Sequence, residues 1–525
     1  MRISWTSNYV PDFVSYCQDV REISRRVHKT IAIMSAVAAH VNSISVGMCQ
    51  GFSAVLLPQL LDSNSSILVN NVEASWIASL GVISNPLGAL MSGVFMQTLG
   101  RKTTVQLTSI PFLIGWTIIG LSTDITFLCL GRFISGVAIG MSSACYVYVA
   151  EVSLAKHRGV LSSFGPIFVS IGVLIVYSLG SIMPWQVVSI LCALTSFLSF
   201  LSVNLTPESP SWLASKGRVA DAGKSLMWLR RKPSLADKEL AEILNNLADG
   251  NNGSSSAPTL RDFAAPAVWK PFLILVCFFV LQEASGIYII LYYAVNFFQV
   301  AGSTVDSNVA SIAVAVLRLV MSVTGSVCIQ HVNRRTMAMA SAVLMAVSMA
   351  ACGAYESAYG PLLVDARPYG WVPLACILFN VSVSMLGMVP LPWMMIGELF
   401  PLKVRGIMGG LVPSLGYFFI FVTVKMSPSL MTALATDQIM WLFAAAAALA
   451  ACFVAAFLPE TRGKTLLQIE KLFSSGDRDA THKGAAVYAE KKKFKPGDPA
   501  TAVYTISSLV DACHKLPPVR PPPGI

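Results

Sequence analysis

About twelve apolar stretches, each long enough to cross a bilayer, constrain this chain more than any other feature. They cover residues 30 to 57, 75 to 97, 104 to 123, 125 to 149, 160 to 182 and 185 to 205. After a polar insert come 271 to 299, 307 to 330, 336 to 355, 371 to 397, 406 to 428 and 438 to 458. A helix rises 1.5 Å per residue and the hydrocarbon core is about 30 Å thick, so about 20 apolar residues make one crossing. Only 12% of the residues are charged and 54% are hydrophobic, where a soluble domain is about one quarter charged. The expectation is an all-α polytopic membrane protein of about twelve transmembrane helices. The net charge of +10 would suit a nucleic-acid partner in a soluble chain. Here the informative question is which loops hold the Lys and Arg.

Those residues sort by side. With the N-terminus inside, Arg101 and Lys102, Lys156 and Arg158, the insert, Arg334 and Arg335, Lys403 and Arg405, and the tail all face the cytosol. The opposite connections carry mainly Asp62, Glu73, Asp124, Asp306, Glu356 and Asp365, with Arg367. The positive-inside rule then places both termini in the cytosol. On the outer side Asn64-Ser65-Ser66 is a plausible N-glycosylation sequon,. Eleven cysteines form no CxxC pair and no Cys/His cluster with metal spacing, which argues against zinc or redox roles,.

The chain also repeats itself. Glu151-Val-Ser-Leu-Ala-Lys-His-Arg158-Gly159 recurs a half-chain later as Glu398-Leu-Phe-Pro-Leu-Lys-Val-Arg405-Gly406. Gly100-Arg101-Lys102-Thr103 is echoed by Asn333-Arg334-Arg335-Thr336, and Pro207-Glu208-Ser209 by Pro459-Glu460-Thr461. A duplicated six-helix unit follows, and a two-half transporter carries its site between the halves. The division is a cytosolic segment at 1–29, a first half at 30–205, an insert of short cytosolic helices at 206–268, a second half at 269–458 and a tail at 459–525. Composition predicts disorder over most of the tail beyond 474.

The seventh and eighth spans each carry a single charge near the middle. Glu283 is the only charge between Pro271 and Val300, and Arg318 is the only charge between Asp306 and His331. Both fall about halfway along their spans, where a charge costs about 3 kcal/mol or more, so it pairs or faces water. The expectation is that Glu283 and Arg318 meet in a transport pathway; a purely structural ion pair is the alternative.

Taken together, Gly93 to Lys102, Gly131-Arg132 through Glu151 to Arg158-Gly159, and Pro207 to Leu213 with Gly217-Arg218 form an ordered series. It continues with Gln282 to Tyr293, Pro390 to Arg405, and Pro459 to Thr465. The series resembles the sugar porter branch of the major facilitator superfamily over roughly residues 30 to 472. Within that branch the chain is similar to insect facilitated trehalose transporter-like proteins and to facilitative glucose transporters. The resemblance implies the major facilitator fold and no cofactor, with a small sugar or polyol as substrate and the lipid bilayer as surroundings.

It also implies a conformational latch at the inner helix ends, made of Gly93, Gly100, Arg101, Lys102, Glu151, Arg158, Glu208, Arg334, Arg335, Glu398, Arg405 and Glu460. Acid and guanidinium pairs there hold the halves together until the cavity opens inward; a static anchor is the alternative. Gln97 stands where the superfamily often has an acid, which predicts a weaker or rearranged latch in the first half. For sugar binding, Gln282 and Trp393 match family positions, with Tyr292 and Tyr293 as an outer lid. Pro166, Glu283, Tyr288, Arg318, and Gly416 with Tyr417, fall where a glucose transporter has amides or a tryptophan. These departures leave the fold expectation intact and weaken glucose as the substrate.

The function these observations favour is facilitative sugar transport, of a hexose or a trehalose-like disaccharide, by alternating access. His40 to Pro58 contains no carboxylate of the kind proton-coupled relatives use in the first span, which favours uniport, although Glu283 keeps a proton-coupled carrier in view. A non-transporting sugar sensor and a carrier of another polar or anionic solute are the further alternatives. No nucleophile, base and orienter set marks an enzyme.

Overall fold

The computed structural model describes residues 9–61, 67, 69–249, 260–292, 307–360 and 367–474. Among them there is no strand. Eleven helices are long and apolar enough to cross a membrane, and the tenth predicted span is the exception. It is built from two pieces, Val372–Ser384 and Pro390–Leu399. The sequence reads this stretch as one run, but Pro390 and Pro392 have no N–H to give a preceding turn. At Gly387 a Cβ would come within 2.6 Å of the Met337 carbonyl oxygen, so the broken segment lies directly against the ninth span.

The fourth span breaks at the equivalent place, between Ile125–Met141 and Ala144–Val152. In each half the second piece therefore leads straight into the acid-to-arginine motif. The seventh span is Pro266–Ala284, followed by Ile287–Tyr292. Gly286 turns the chain between them at φ +75°, in the region where an L side chain is strained. At the N-terminus the first helix runs Tyr9–Leu61, starting well before residue 30. Pro11 sits in its first turn and nothing between there and Gly47 ends a helix,.

The packing inverts that of a soluble protein. Leu90, Val94, Val320 and Leu449 are exposed on the outside, whereas Ser162, Ser189, Ser196 and Ser199 are fully buried between helices. Lipid tails are as apolar as leucine, so membrane helices associate through close-packed small residues and interhelical hydrogen bonds. Residues up to Ser474 cluster as one unit. The two longest seams between the halves set the second span (Asn71–Ile83 and Asn85–Thr98) against the eleventh (Leu402–Ala433), and the fifth (Arg158–Gly180) against the eighth (Ser307–His331). At the first seam a Cβ on Gly93 would stand 3.1 Å from Gly410 Cα. Along the second, Ser163 meets Ser326 at 2.5 Å and Ser170 meets Ser322 at 3.0 Å.

The insert forms short helices as expected: Pro210–Ser215, Val219–Arg230 and Pro233–Asp249. Arg230 grips Glu239 through two bonds of 2.7 and 2.8 Å and donates to the Val152 carbonyl at 3.0 Å. The insert is thereby tied to the end of the fourth span. Asn64, Tyr293, the linker at 250–259 and the tail from 475 lie outside the described residues, as does the side chain of Tyr292.

Candidate functional site

Gln282 and Glu283 lie one turn before the break in the seventh span, and both are buried. The Gln282 amide donates to the carbonyls of Met388 and Val389 at 2.8 and 3.2 Å. The break in the tenth span frees backbone carbonyls, and Gln282 satisfies them. Its own oxygen has no hydrogen-bond partner. Beside it, Trp393 packs edge-on to Phe279 with ring centres 4.9 Å apart and lies 4.8 Å from the Tyr417 ring. Gly416 makes room for that cluster, since a Cβ there would stand 3.2 Å from the Phe279 ring.

Glu283 and Arg318 do not form the expected ion pair. Glu283 is 3% exposed and neither carboxylate oxygen has a hydrogen-bond partner. Arg318 instead reaches across the halves and donates to Gln50 Oε1 on the first span at 3.4 Å. Sequence places the two at similar depth, but it says nothing of which way each helix turns its charge. Pro166 sits in the fifth span, where its carbonyl accepts from Ser170, the serine that meets Ser322 of the eighth. Its surroundings belong to the seam between the halves.

Tyr288, just past the seventh-span break, closes a small cavity between the halves together with Tyr417 and Ile420. The opposite wall is Cys49, Gln50, Ser53, Gly81, Val82, Asn85, Arg132 and Ile139. The cavity has room of about 20 Å³, enough for a water molecule, which needs about 10–15 Å³, and too little for a pyranose ring. Sequence reasoning missed Arg132 and Gln50. Arg132 is the lone charge in the fourth apolar run, the same signal that singled out Glu283 and Arg318.

At the motif-bearing end the charged residues are drawn together. Glu151 pairs with Arg101 at 3.1 Å and, across the halves, with Arg405 at 3.2 Å, and it also accepts from the Ser209 hydroxyl. Glu398 pairs with Arg334 of its own half, and Arg334 also donates to Thr461. Arg158 donates to the carbonyls of Ala150 and Lys464 at 3.0 and 3.2 Å. Glu208 accepts from the backbone N–H groups of Arg101, Lys102 and Ser209 at 2.8 to 3.0 Å. Gly100, at φ +103°, lets that chain approach, because a Cβ would meet the Glu208 carboxyl carbon at 2.9 Å. Burial pushes the Glu208 carboxyl above its ordinary value, and the N–H donors pull it part of the way back.

Glu460 plays the matching part in the second half, accepting from the N–H of Arg335 and of Arg462 at 3.2 and 2.8 Å, and the Arg335 side chain donates to the Ala455 carbonyl. Gln97 donates to the Lys403 carbonyl at 3.1 Å. The missing acid has thus been replaced by a neutral bond across the halves. At the other end of the same seam the Lys425 ammonium lies 5.4 Å from the centre of the Trp76 ring, and the halves meet at both ends.

Paired six-helix halves, breaks in the fourth and tenth spans, and a small polar cavity between them define a membrane transporter of the major facilitator type. Residues 29–473 match the family described as "Sugar (and other) transporter", and the chain belongs to that family. It is 32% identical over 449 residues to the facilitated trehalose transporter Tret1 of Bombyx mori, covering 85% of this chain and 87% of that one. With the Tret1 of Drosophila willistoni it shares 30% over 441 residues, 84% of this chain and 50% of that longer one. Among solved structures, the proton:xylose symporter XylE bound to 6-bromo-6-deoxy-D-glucose superposes with a TM-score of 0.74 at 21% identity, over 85% of this chain and all of that one. The inward open conformation of XylE from E. coli gives 0.59 at 20% identity, over 85% of this chain and 100% of that one.

Proposed function

We propose that this protein is a facilitative carrier of a sugar, a hexose or a trehalose-like disaccharide, which works by alternating access in the plasma membrane with both termini in the cytosol. The observation that carries the reading is the buried node at which Glu151 holds Arg101 of its own half and Arg405 of the other. A buried pair that spans two rigid bodies is a bistable element: made, it closes one end of the central cavity, and broken, it lets the halves rock apart. Tyr288 and Tyr417 line the cavity between the halves, and together with Trp393, which packs on Tyr417, and with Gln282 they would offer the neutral hydrogen-bonding groups and aromatic faces that sugar recognition uses.

A second reading, proton-coupled transport, is favoured by one observation. Glu283 is buried with neither oxygen hydrogen-bonded, and such a carboxyl is a place where a proton can ride. Uptake into vesicles containing the purified protein tests both, using labelled glucose, trehalose and small polyols with and without an inward proton gradient. Saturable uptake that ignores the gradient supports the facilitative carrier. Accumulation only with the gradient moves the assignment to the coupled carrier, and binding without uptake defeats both.

A further inference from the structure

We propose that the cavity between the halves binds a singly charged anionic group on Arg132, supplied either by a free ion of the chloride class or by the carboxylate of a sugar acid. Arg132 is 2% exposed and lines the cavity. Among the described residues no carboxylate lies within ion-pair distance of it. Its Nε donates to the Ile77 carbonyl at 3.4 Å, and Nη1 to the Cys49 carbonyl at 3.4 Å and to Cys49 Sγ at 3.8 Å. Nη2 reaches Ser53 Oγ at 2.5 Å, and the guanidinium carbon stands 5.9 Å from the Phe52 ring centre. Most of these bonds are at the long end of the useful range, and none brings negative charge. A guanidinium keeps its proton under any physiological condition, so the positive charge stays.

The rest of the lining agrees. No acidic residue is part of it, and Gln50, Ser53 and Tyr288 carry donors, whereas the Tyr417 hydroxyl donates to the Ile139 carbonyl at 3.4 Å. Gln50 turns its amide oxygen to Arg318, which leaves its NH₂ group as a donor. The neighbouring acids are engaged elsewhere or out of reach. Glu73 caps its own helix by accepting from the Asn70 N–H at 2.8 Å, and Glu283 makes no ion pair. A cavity of about 20 Å³ admits one water-sized ion with the halves closed; the carboxylate of a larger solute would enter when they part.

The anion site goes beyond the carrier reading, and only its sugar-acid form rests on that reading. Thermal melting of the purified protein in lipid nanodiscs tests it, with sodium chloride titrated against sodium methanesulfonate at constant ionic strength. In parallel, sodium glucuronate is compared with glucose. The expected result is a melting temperature that rises and saturates with chloride or with glucuronate. The response should vanish in Arg132→Gln and weaken about fivefold in Ser53→Ala, the equivalent of about one hydrogen bond.

If Arg132→Gln does not fold, Ser53→Ala carries the comparison. A chloride response assigns a free ion, and a glucuronate response without one assigns the solute's own carboxylate. No saturable response to either anion, or a response undiminished in the variants that fold, overturns the site. Melting needs no transport, so a failure of sugar uptake would sink the carrier reading alone.

Discussion

The two copies of the acid-to-arginine motif look alike in sequence and sit in unlike surroundings. Glu151 holds two guanidiniums, one from each half, and a serine hydroxyl. Glu398 engages Arg334 of its own half, and its Oε1 has no hydrogen-bond partner. Their arginines differ in the same direction. Arg405 crosses to Glu151, whereas Arg158 spends its donors on backbone carbonyls. The repeat supplies two equivalent arginines, and of these Arg405 meets a carboxylate of the other half whereas Arg158 meets neutral carbonyls. The difference teaches that a repeated motif need not be used alike: the first-half acid carries an ion pair across the halves, and its counterpart pairs within its own half.

The hardest test of that comparison is Glu151→Gln beside Glu398→Gln. Removing one partner of a buried pair costs about 3–5 kcal/mol, and Glu151→Gln breaks two ion pairs where Glu398→Gln breaks one. Uptake should fall by about two orders of magnitude in the first and clearly less in the second, in vesicles with matched protein content. Equal losses would break the comparison.

Next in size is Arg405→Ala against Arg158→Ala. The first strands the cross-half acid, while the second gives up hydrogen bonds from a charged donor worth about 1.5–3 kcal/mol each. Arg405→Ala should shift the protein further toward the inward-open state, read as faster alkylation of a cysteine introduced at Ile407.

Gly93→Val sharpens the same point by steric means. A Cβ already falls 3.1 Å from Gly410 Cα and from the Ile407 carbonyl oxygen, and overpacking of this kind costs about 1–3 kcal/mol. The variant should reach the bilayer in normal amounts with uptake reduced about tenfold. The smallest effect belongs to Gln97→Ala, which deletes one neutral bond to the Lys403 carbonyl worth about 1 kcal/mol. A two- to fivefold change in uptake is expected; a loss as large as that of Glu151→Gln would show that the neutral bond, and not the ion pair, holds the end closed.

Much of the architecture was legible in the residues. Apolar runs of bilayer length announced the spans, and the recurrence of Glu151 to Arg158 as Glu398 to Arg405 announced the halves. The break in the tenth span was less visible, although Pro390 and Pro392 mark it, because its apolar composition is continuous. The site was legible in part. Of Gln282, Trp393 and Tyr288, which the residues single out, Tyr288 lines the cavity, whereas Gln282 is bonded to the tenth span and Trp393 packs on Phe279 and Tyr417. Arg132 belongs to a recurring motif and is also the lone charge of its run.

Depth in the bilayer is a property of position along a helix, and sequence determines it. Thus Glu283 and Arg318 could each be placed well inside a span, and the cost of a charge there marked them as consequential. Azimuth is different. Which neighbour a side chain faces depends on helix rotation and on the breaks at Ser142–Ser143, Ser285–Gly286 and Met385–Val389, and these are settled only when all the helices pack. That is why the expected Glu283–Arg318 pair is absent, why Arg318 turns to Gln50 on the first span, and why of two matching acids it is Glu151 that bridges the halves.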